Sequence, residues 1–201
     1  MNPIINNHFQ ALGEKYKMKG PYLEVGAAGG RNAILSGSYF NNRPDRFAIN
    51  LIETKQENGI SFVECNSNDM RGSFEDNYFG TVMSNAVLEH DRYFWRSLDE
   101  MKRVLAPGGL LVIGAPAFIP LNQTQATISG LPDGWPATIT YDVHARPDYW
   151  RFSRQAFNYV ICEGLDMLEL RVVSMIPSLV CVGRKPLLTA ESSEVDSPAS
   201  A

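Results

Sequence analysis

The chain has 201 residues, 44% of them apolar, and a formal net charge of −4. That length suits one domain with a buried core, and mild acidity without a basic stripe argues against nucleic acid as an obligatory partner. The opening MNPIINNHFQ lacks a basic n-region and a long apolar run, and no stretch reaches the roughly 18 apolar residues of a membrane span. Neither a signal peptide nor a membrane is therefore expected. Cys65, Cys162 and Cys181 are far apart and odd in number, which reads as reduced thiols of a cytoplasmic protein. No Cys or His pair has metal-ligand spacing, so no metal site is expected.

Ile5, Phe9, Leu12 and Tyr16 recur at a helical period, and Gly20-Pro21 ends that helix. Tyr22 to Val25 reads as a short buried strand running into glycines. A helix is expected over 31–40, then a turn at Asn41 to Asp45. Phe47 to Ile52 is the second strand, Glu53 to Gly59 a polar stretch of one or two helical turns, and Ile60 to Cys65 the third strand. A fourth strand centres on Thr81-Val82-Met83. Phe94, Leu98, Met101, Val104 and Leu105 share one helix face, which Pro107-Gly108-Gly109 stops. Leu110 to Ala115 is a fifth strand. Residues 116–150 are proline-rich and aromatic without a clear period, as in functional lids. Ser153 caps a helix to about Glu163, and Asp166 to Met175 with Leu179 to Gly183 form a closing antiparallel hairpin.

Residues 1–188 thus read as a single domain, and the Ser-, Glu- and Ala-rich tail 189–201 as disordered. Strands alternating with helices predict an α/β fold: a doubly wound, mostly parallel, seven-stranded sheet with helices on both faces. In such sheets the ligand lies beyond the carboxyl ends of the strands, at the switch point. Gly26, Gly29 and Gly30 follow the first strand. Glycines there give backbone close access to a ligand, or allow a positive φ. A tight turn without ligand is the alternative reading of the same residues.

Taken in order, LEVGAAGG, NSNDMRGSFEDNYF, NAVLEH (Asn85 to His90) and RVLAPGGLLVIGAP (Arg103 to Pro116) resemble the class I S-adenosylmethionine-dependent methyltransferases of the small-molecule type, with a Rossmann-like fold. The resemblance spans Pro21 to Ala117. It implies S-adenosyl-L-methionine as cofactor and a small-molecule acceptor, such as a sugar or secondary metabolite. By that resemblance Glu24, Gly26, Ala28 and Gly30 hold the methionine part, Asn50 the ribose, Asn66 and Ser67 the adenine end, and Asn85 lies under the cofactor. The sequence departs from the family at Ala28, where glycine is usual, and at Asn50, Asn66 and Gly80, where acids are usual. Glu53 is a fallback for the ribose. A catalytically inactive cofactor-binding or scaffold subunit is the alternative these departures keep open.

The acceptor side is expected in YDVHARPDYWRFS, Tyr141 to Ser153. His144 is the candidate base, since an imidazole titrates near neutrality. Asp148, Tyr149, Trp150, Arg151 and His90 are candidates for acceptor binding: aromatic faces wall a pocket, and a guanidinium pairs with carboxylate or phosphate. The bland readings are a loop histidine, aromatic packing on the sheet edge, and a helix cap at Glu89-His90. A nicotinamide oxidoreductase is disfavoured, because the first motif is E-x-G rather than G-x-G-x-x-G. Oligomeric state, a homodimer included, is open.

Overall fold

The computed structural model describes residues 2–27, 29, 32–51, 56–120, 134, 136–138, 147–173 and 177–187. Ala28, Gly30, Glu53, His144 and the tail 189–201 lie outside the described residues, as does most of the 116–150 segment.

Helix α1 (Pro3–Tyr16) begins where the Asn2 side chain accepts from the Ile4 N–H at 2.9 Å, with proline in its first turn. Strands follow at β1 (Tyr22–Val25), β2 (Arg46–Asn50), β3 (Gln56–Glu57), β4 (Ile60–Glu64) and β5 (Phe79–Asn85). Helix α2 (Phe94–Val104) leads directly into β6 (Leu105–Pro116). Ile119–Pro120 (β7) pairs antiparallel with Pro136–Ala137 (β8) in a small separate ribbon. Ser153 caps α3 (Arg154–Ala156) by accepting from the Ala156 N–H, and a wider π-helical turn continues it over Phe157–Ile161. β9 (Asp166–Val173) and β10 (Ser178–Arg184) close the chain as an antiparallel pair.

The main sheet runs β3-β4-β2-β1-β5-β6-β10-β9. Its β4-β2-β1-β5-β6 centre is parallel, and β10 and β9 are antiparallel at one edge. This is the seven-stranded arrangement expected, with the two-residue β3 added at the other edge. Alternation along each strand divides the core into two faces. Leu98, Met101 and Val104 of α2, with Phe157 and Ile161, cover Leu23, Val82, Leu111 and Ile113. Ile5, Phe9 and Leu12 of α1 cover Met83, Val112, Val180 and Val182 on the opposite face.

Two expected elements differ. The helix expected over 31–40 is one 3₁₀ turn, Ile34–Ser36, followed by hydrogen-bonded turns to Arg43. Ile34, Leu35 and Phe40 are fully buried, and Ser36-Gly37-Ser38 interrupts any helical stripe. Gln10 of α1 supplies the missing bonds: its amide nitrogen donates to Ile34 O and its oxygen accepts from Tyr39 N, both at 3.0 Å. Of the helical turns expected over Glu53 to Gly59, residues 53–55 lie outside the described residues and residues 56–59 belong instead to the β3–β4 hairpin. Asn58 (φ 52°) and Gly59 (φ 71°) are both left-handed, as a two-residue hairpin turn requires.

Candidate functional site

β1 lies between β2 and β5, so the connections leave it in opposite directions and open a crevice at the carboxyl end of the sheet. A pocket of about 590 Å³ fills this crevice, within the size range of cofactor sites. Its floor is Val25 and Gly26 after β1, Ile49 and Asn50 of β2, and Cys65 to Asn68 after β4. Ala86 and Val87 after β5 form one wall, and His90 to Tyr93 with Pro147 and Tyr149 form the mouth. A second hollow of about 580 Å³ opens at the opposite strand ends beside Lys17 and Arg43. There, no loop after a parallel strand faces it.

Gly26 has φ 78°, and a Cβ there would lie 2.2 Å from Val87 Cγ2. Both facts demand glycine, and together they leave a bare backbone edge at the pocket floor. Asn50 fixes the same loop: its amide nitrogen donates to Ala27 O at 2.7 Å and its oxygen accepts from Leu51 N at 2.7 Å. Asn66 accepts from the Asn68 N–H at 3.0 Å, an Asx turn that presents its neighbours to the pocket. Ser67 Oγ lies 2.8 Å from Ser97 Oγ. Asn68 donates to Asp91 Oδ2 at 2.6 Å, while Asp91 Oδ1 accepts from Tyr93 N at 2.8 Å. The Asp91 carboxylate is thereby spent on holding the wall.

Glu24 is 2% exposed and does not line the pocket. Its carboxylate accepts from Leu35 N at 3.0 Å, and burial, opposed by the Ile34 and Leu35 amides, pushes its pKa up to about 7. It braces the turn behind the glycine loop from inside the fold. Asn85 also departs from expectation. A Cβ on Gly114 would meet Asn85 Oδ1 at 2.4 Å and Phe9 at 3.4 Å, so the Asn85 side chain lies on the α1 face rather than in the pocket.

Residues 147–152 form a strap across the mouth. Tyr149 N and Trp150 N donate to Glu89 O at 2.7 and 3.3 Å, and Trp150 Nε1 donates to Asp91 O at 2.8 Å. Trp150 packs on Phe94 and Trp95, which makes it a structural anchor. Arg151 grips Asp148 through two 2.6 Å bonds, so the guanidinium expected to read an acceptor carries an internal partner. Tyr149 remains 48% exposed at the mouth. His90 Nδ1 lies 2.8 Å from Pro147 O. A carbonyl only accepts, so Nδ1 carries the hydrogen of this bond, and Nε2 lies 3.9 Å from Glu89 Oε1. Glu89 is 3% exposed, with Oε2 unpartnered. Burial, reinforced by Asp148 and opposed by its own backbone amide and Arg151, pushes its pKa up to about 7.

The strand-end segments expected to build the site, Asn66 to Met70, Ser84 to His90 and 116 onwards, include the wall residues Asn68, Ala86, Val87 and Pro147, whereas Cys65, Arg92 and Tyr93 were not singled out by sequence reasoning. Cys65 follows β4, and Arg92 and Tyr93 follow the Leu88–His90 turn, so all three gain their place from the loops around the strand ends.

Residues 23–113 match the family model described as a methyltransferase domain. Over that stretch the chain is similar to the methyltransferase domain family. No curated protein sequence matches the chain. Among solved structures, the methyltransferase-like fold recurs in the Burkholderia thailandensis 1,6-didemethyltoxoflavin-N1-methyltransferase with bound 1,6-didemethyltoxoflavin and S-adenosylhomocysteine. That pair has a TM-score of 0.63 at 16% identity over 92% of this chain and 80% of the other. The N-methyltransferase NodS from Bradyrhizobium japonicum WM9, in complex with S-adenosylhomocysteine, gives 0.56 at 16% identity over 92% and 89%. The [4+2]-cyclase SpnF gives 0.59 at 12% identity over 90% of this chain and 81% of the other. At such identities the likeness establishes the fold. Among the described residues no helix is long and apolar enough to cross a membrane.

Proposed function

We propose that this methyltransferase moves a methyl group from S-adenosylmethionine to a small-molecule acceptor that enters between His90 and Tyr149. The observation that carries the reading is the strand-end pocket floored by Gly26, whose backbone edge any side chain would fill. The lining fits the cofactor: amides and hydroxyls suit a nucleoside, and the backbone after β1 suits an amino-acid moiety. When bound, the sulfonium supplies an activated methyl group, and the protein contributes binding and alignment.

In this proposal Gly26, with Ala28 and Gly30, cradles the methionine part while Glu24 stiffens the turn behind them. Asn50 faces the ribose, using the amide hydrogen and oxygen lone pair its loop bonds leave over. Asn66 and Ser67 border the adenine end. His90 and Tyr149 border the acceptor, with His144 joining them on sequence grounds. Asp148, Arg151 and Trp150 hold the strap in place rather than touching the acceptor.

Isothermal titration with S-adenosylhomocysteine tests the cofactor site. Saturable binding that is absent with NAD and lost in Gly26→Val is expected. Equal affinity in wild type and Gly26→Val would overturn the placement. Transfer of labelled methyl groups to a panel of hydroxyl, amine and carboxylate acceptors then finds the substrate class.

A further inference from the structure

A second site stands apart from the cofactor pocket, at the amino end of β2. Arg46 is 7% exposed there. Its Nη1 donates to Leu35 O at 3.0 Å and its Nη2 to Asn58 O at 2.9 Å. These two carbonyls explain how the side chain is positioned, since it ties the 3₁₀ turn to the β3–β4 hairpin. They do not supply a counter-charge. The guanidinium fork carries more donors than two carbonyls use, and its Nε is buried without a partner. No carboxylate lies within ion-pair distance of Arg46 among the described residues. Glu24, on the same sheet face, spends its carboxylate on Leu35 N. Burial lowers the Arg46 pKa, and no anion opposes that effect.

A buried charge without a partner is costly, and such a group is ordinarily paired. Arg46 borders a hollow of about 510 Å³ whose other lining residues are Ser36, Asn41 and Asn58. All three are neutral and able to donate hydrogen bonds. Neutral donors beside an unbalanced guanidinium select an anion with several acceptor oxygens. The volume is ample for more than a bare ion. We propose that Arg46, Ser36, Asn41 and Asn58 form a binding site for a tetrahedral oxyanion, either free phosphate or the phosphoryl end of a larger compound. The site does not depend on the methyl-transfer reading. It does adjoin that machinery, because Arg46 and Glu24 hold the carbonyl and amide of the same residue, Leu35.

The test is thermal unfolding of the full chain at constant ionic strength, titrating chloride against inorganic phosphate and, separately, glycerol 3-phosphate. A saturable rise of a few degrees is expected with either ligand. A larger rise with the phosphomonoester would support a site reading the phosphoryl group of a larger compound, and equal rises would support free phosphate. Arg46→Gln should abolish the effect. Should that variant not fold, Ser36→Asp serves instead. Its carboxylate supplies the missing charge, so the protein should be more stable in chloride and gain nothing from phosphate. Phosphate also favours compact states by exclusion from protein surfaces. An undiminished rise in Ser36→Asp, or no saturable rise in the wild type, would overturn the proposal.

Discussion

The side-chain amide of Asn50 donates to the carbonyl of Ala27 across 2.7 Å, joining the end of β2 to the loop after β1. An aspartate could not make this bond, because two oxygens would face each other. Asn50→Asp is therefore expected to loosen the glycine loop, even though an acid is the family's usual choice there. The cost should be about 1–2 kcal/mol of stability, with weaker S-adenosylhomocysteine binding. Chemical denaturation and calorimetric titration read the two effects separately. A variant as stable as wild type that binds more tightly would contradict this account.

Gly26→Ala carries two penalties, a left-handed φ of 78° and a Cβ 2.2 Å from Val87 Cγ2. A loss of about 2 kcal/mol or more is expected from the backbone and the clash together. Adding Val87→Ala relieves the clash alone. The double variant should recover part of the stability but not all of it, as measured by urea midpoints.

Glu24 and Glu89 both have pKa values pushed from 4.5 up to about 7 by burial. In the folded protein they hold their protons while the unfolded chain releases them near pH 4.5. Folding therefore loses stability as pH rises from about 4.5 to about 7, by up to about 3 kcal/mol per group. Glu89→Gln should flatten part of that slope and raise stability at pH 8 relative to pH 5. Melting temperatures across this range provide the check, and an unchanged slope would count against a protonated Glu89.

Arg151 and Asp148 form a two-pronged pair whose side chains are 13% and 10% exposed. Removing Asp148 takes a carboxylate away from a guanidinium that also donates to Trp150 O at 2.7 Å. Asp148→Asn is expected to cost about 3 kcal/mol, whereas replacing both by apolar residues of similar volume should cost much less. Guanidinium denaturation of the single and double variants distinguishes pair geometry from simple burial.

Much of this architecture was legible from pattern. Apolar runs at Leu23, Val82 and Leu110 to Ile113, and the Pro107-Gly108-Gly109 stop, mark a parallel sheet and hence a strand-end site. What escaped depends on partners distant in sequence. Ile34 to Phe40 looked helical because its residues are apolar, yet Gln10 of α1 satisfies its backbone instead. Asn58-Gly59 is a hairpin signal that the surrounding polar residues obscured. Asn85 follows Met83 by two positions, so strand parity alone would have turned it toward α1. The Arg151–Asp148 pair is three residues apart and was readable. Its consequence, that Arg151 arrives with an internal partner, was not.

The dependence of residues 34–39 on Gln10 gives the amino-terminal helix an unusual duty. The first helix acts as scaffolding for a distant bend, which in turn leans on Glu24 behind the glycines. Trimming the first dozen residues would not merely bare an oily surface. It would leave Ile34 O and Tyr39 N without their braces, and slackness there would travel along Leu35 toward the cleft where the nucleoside is proposed to rest.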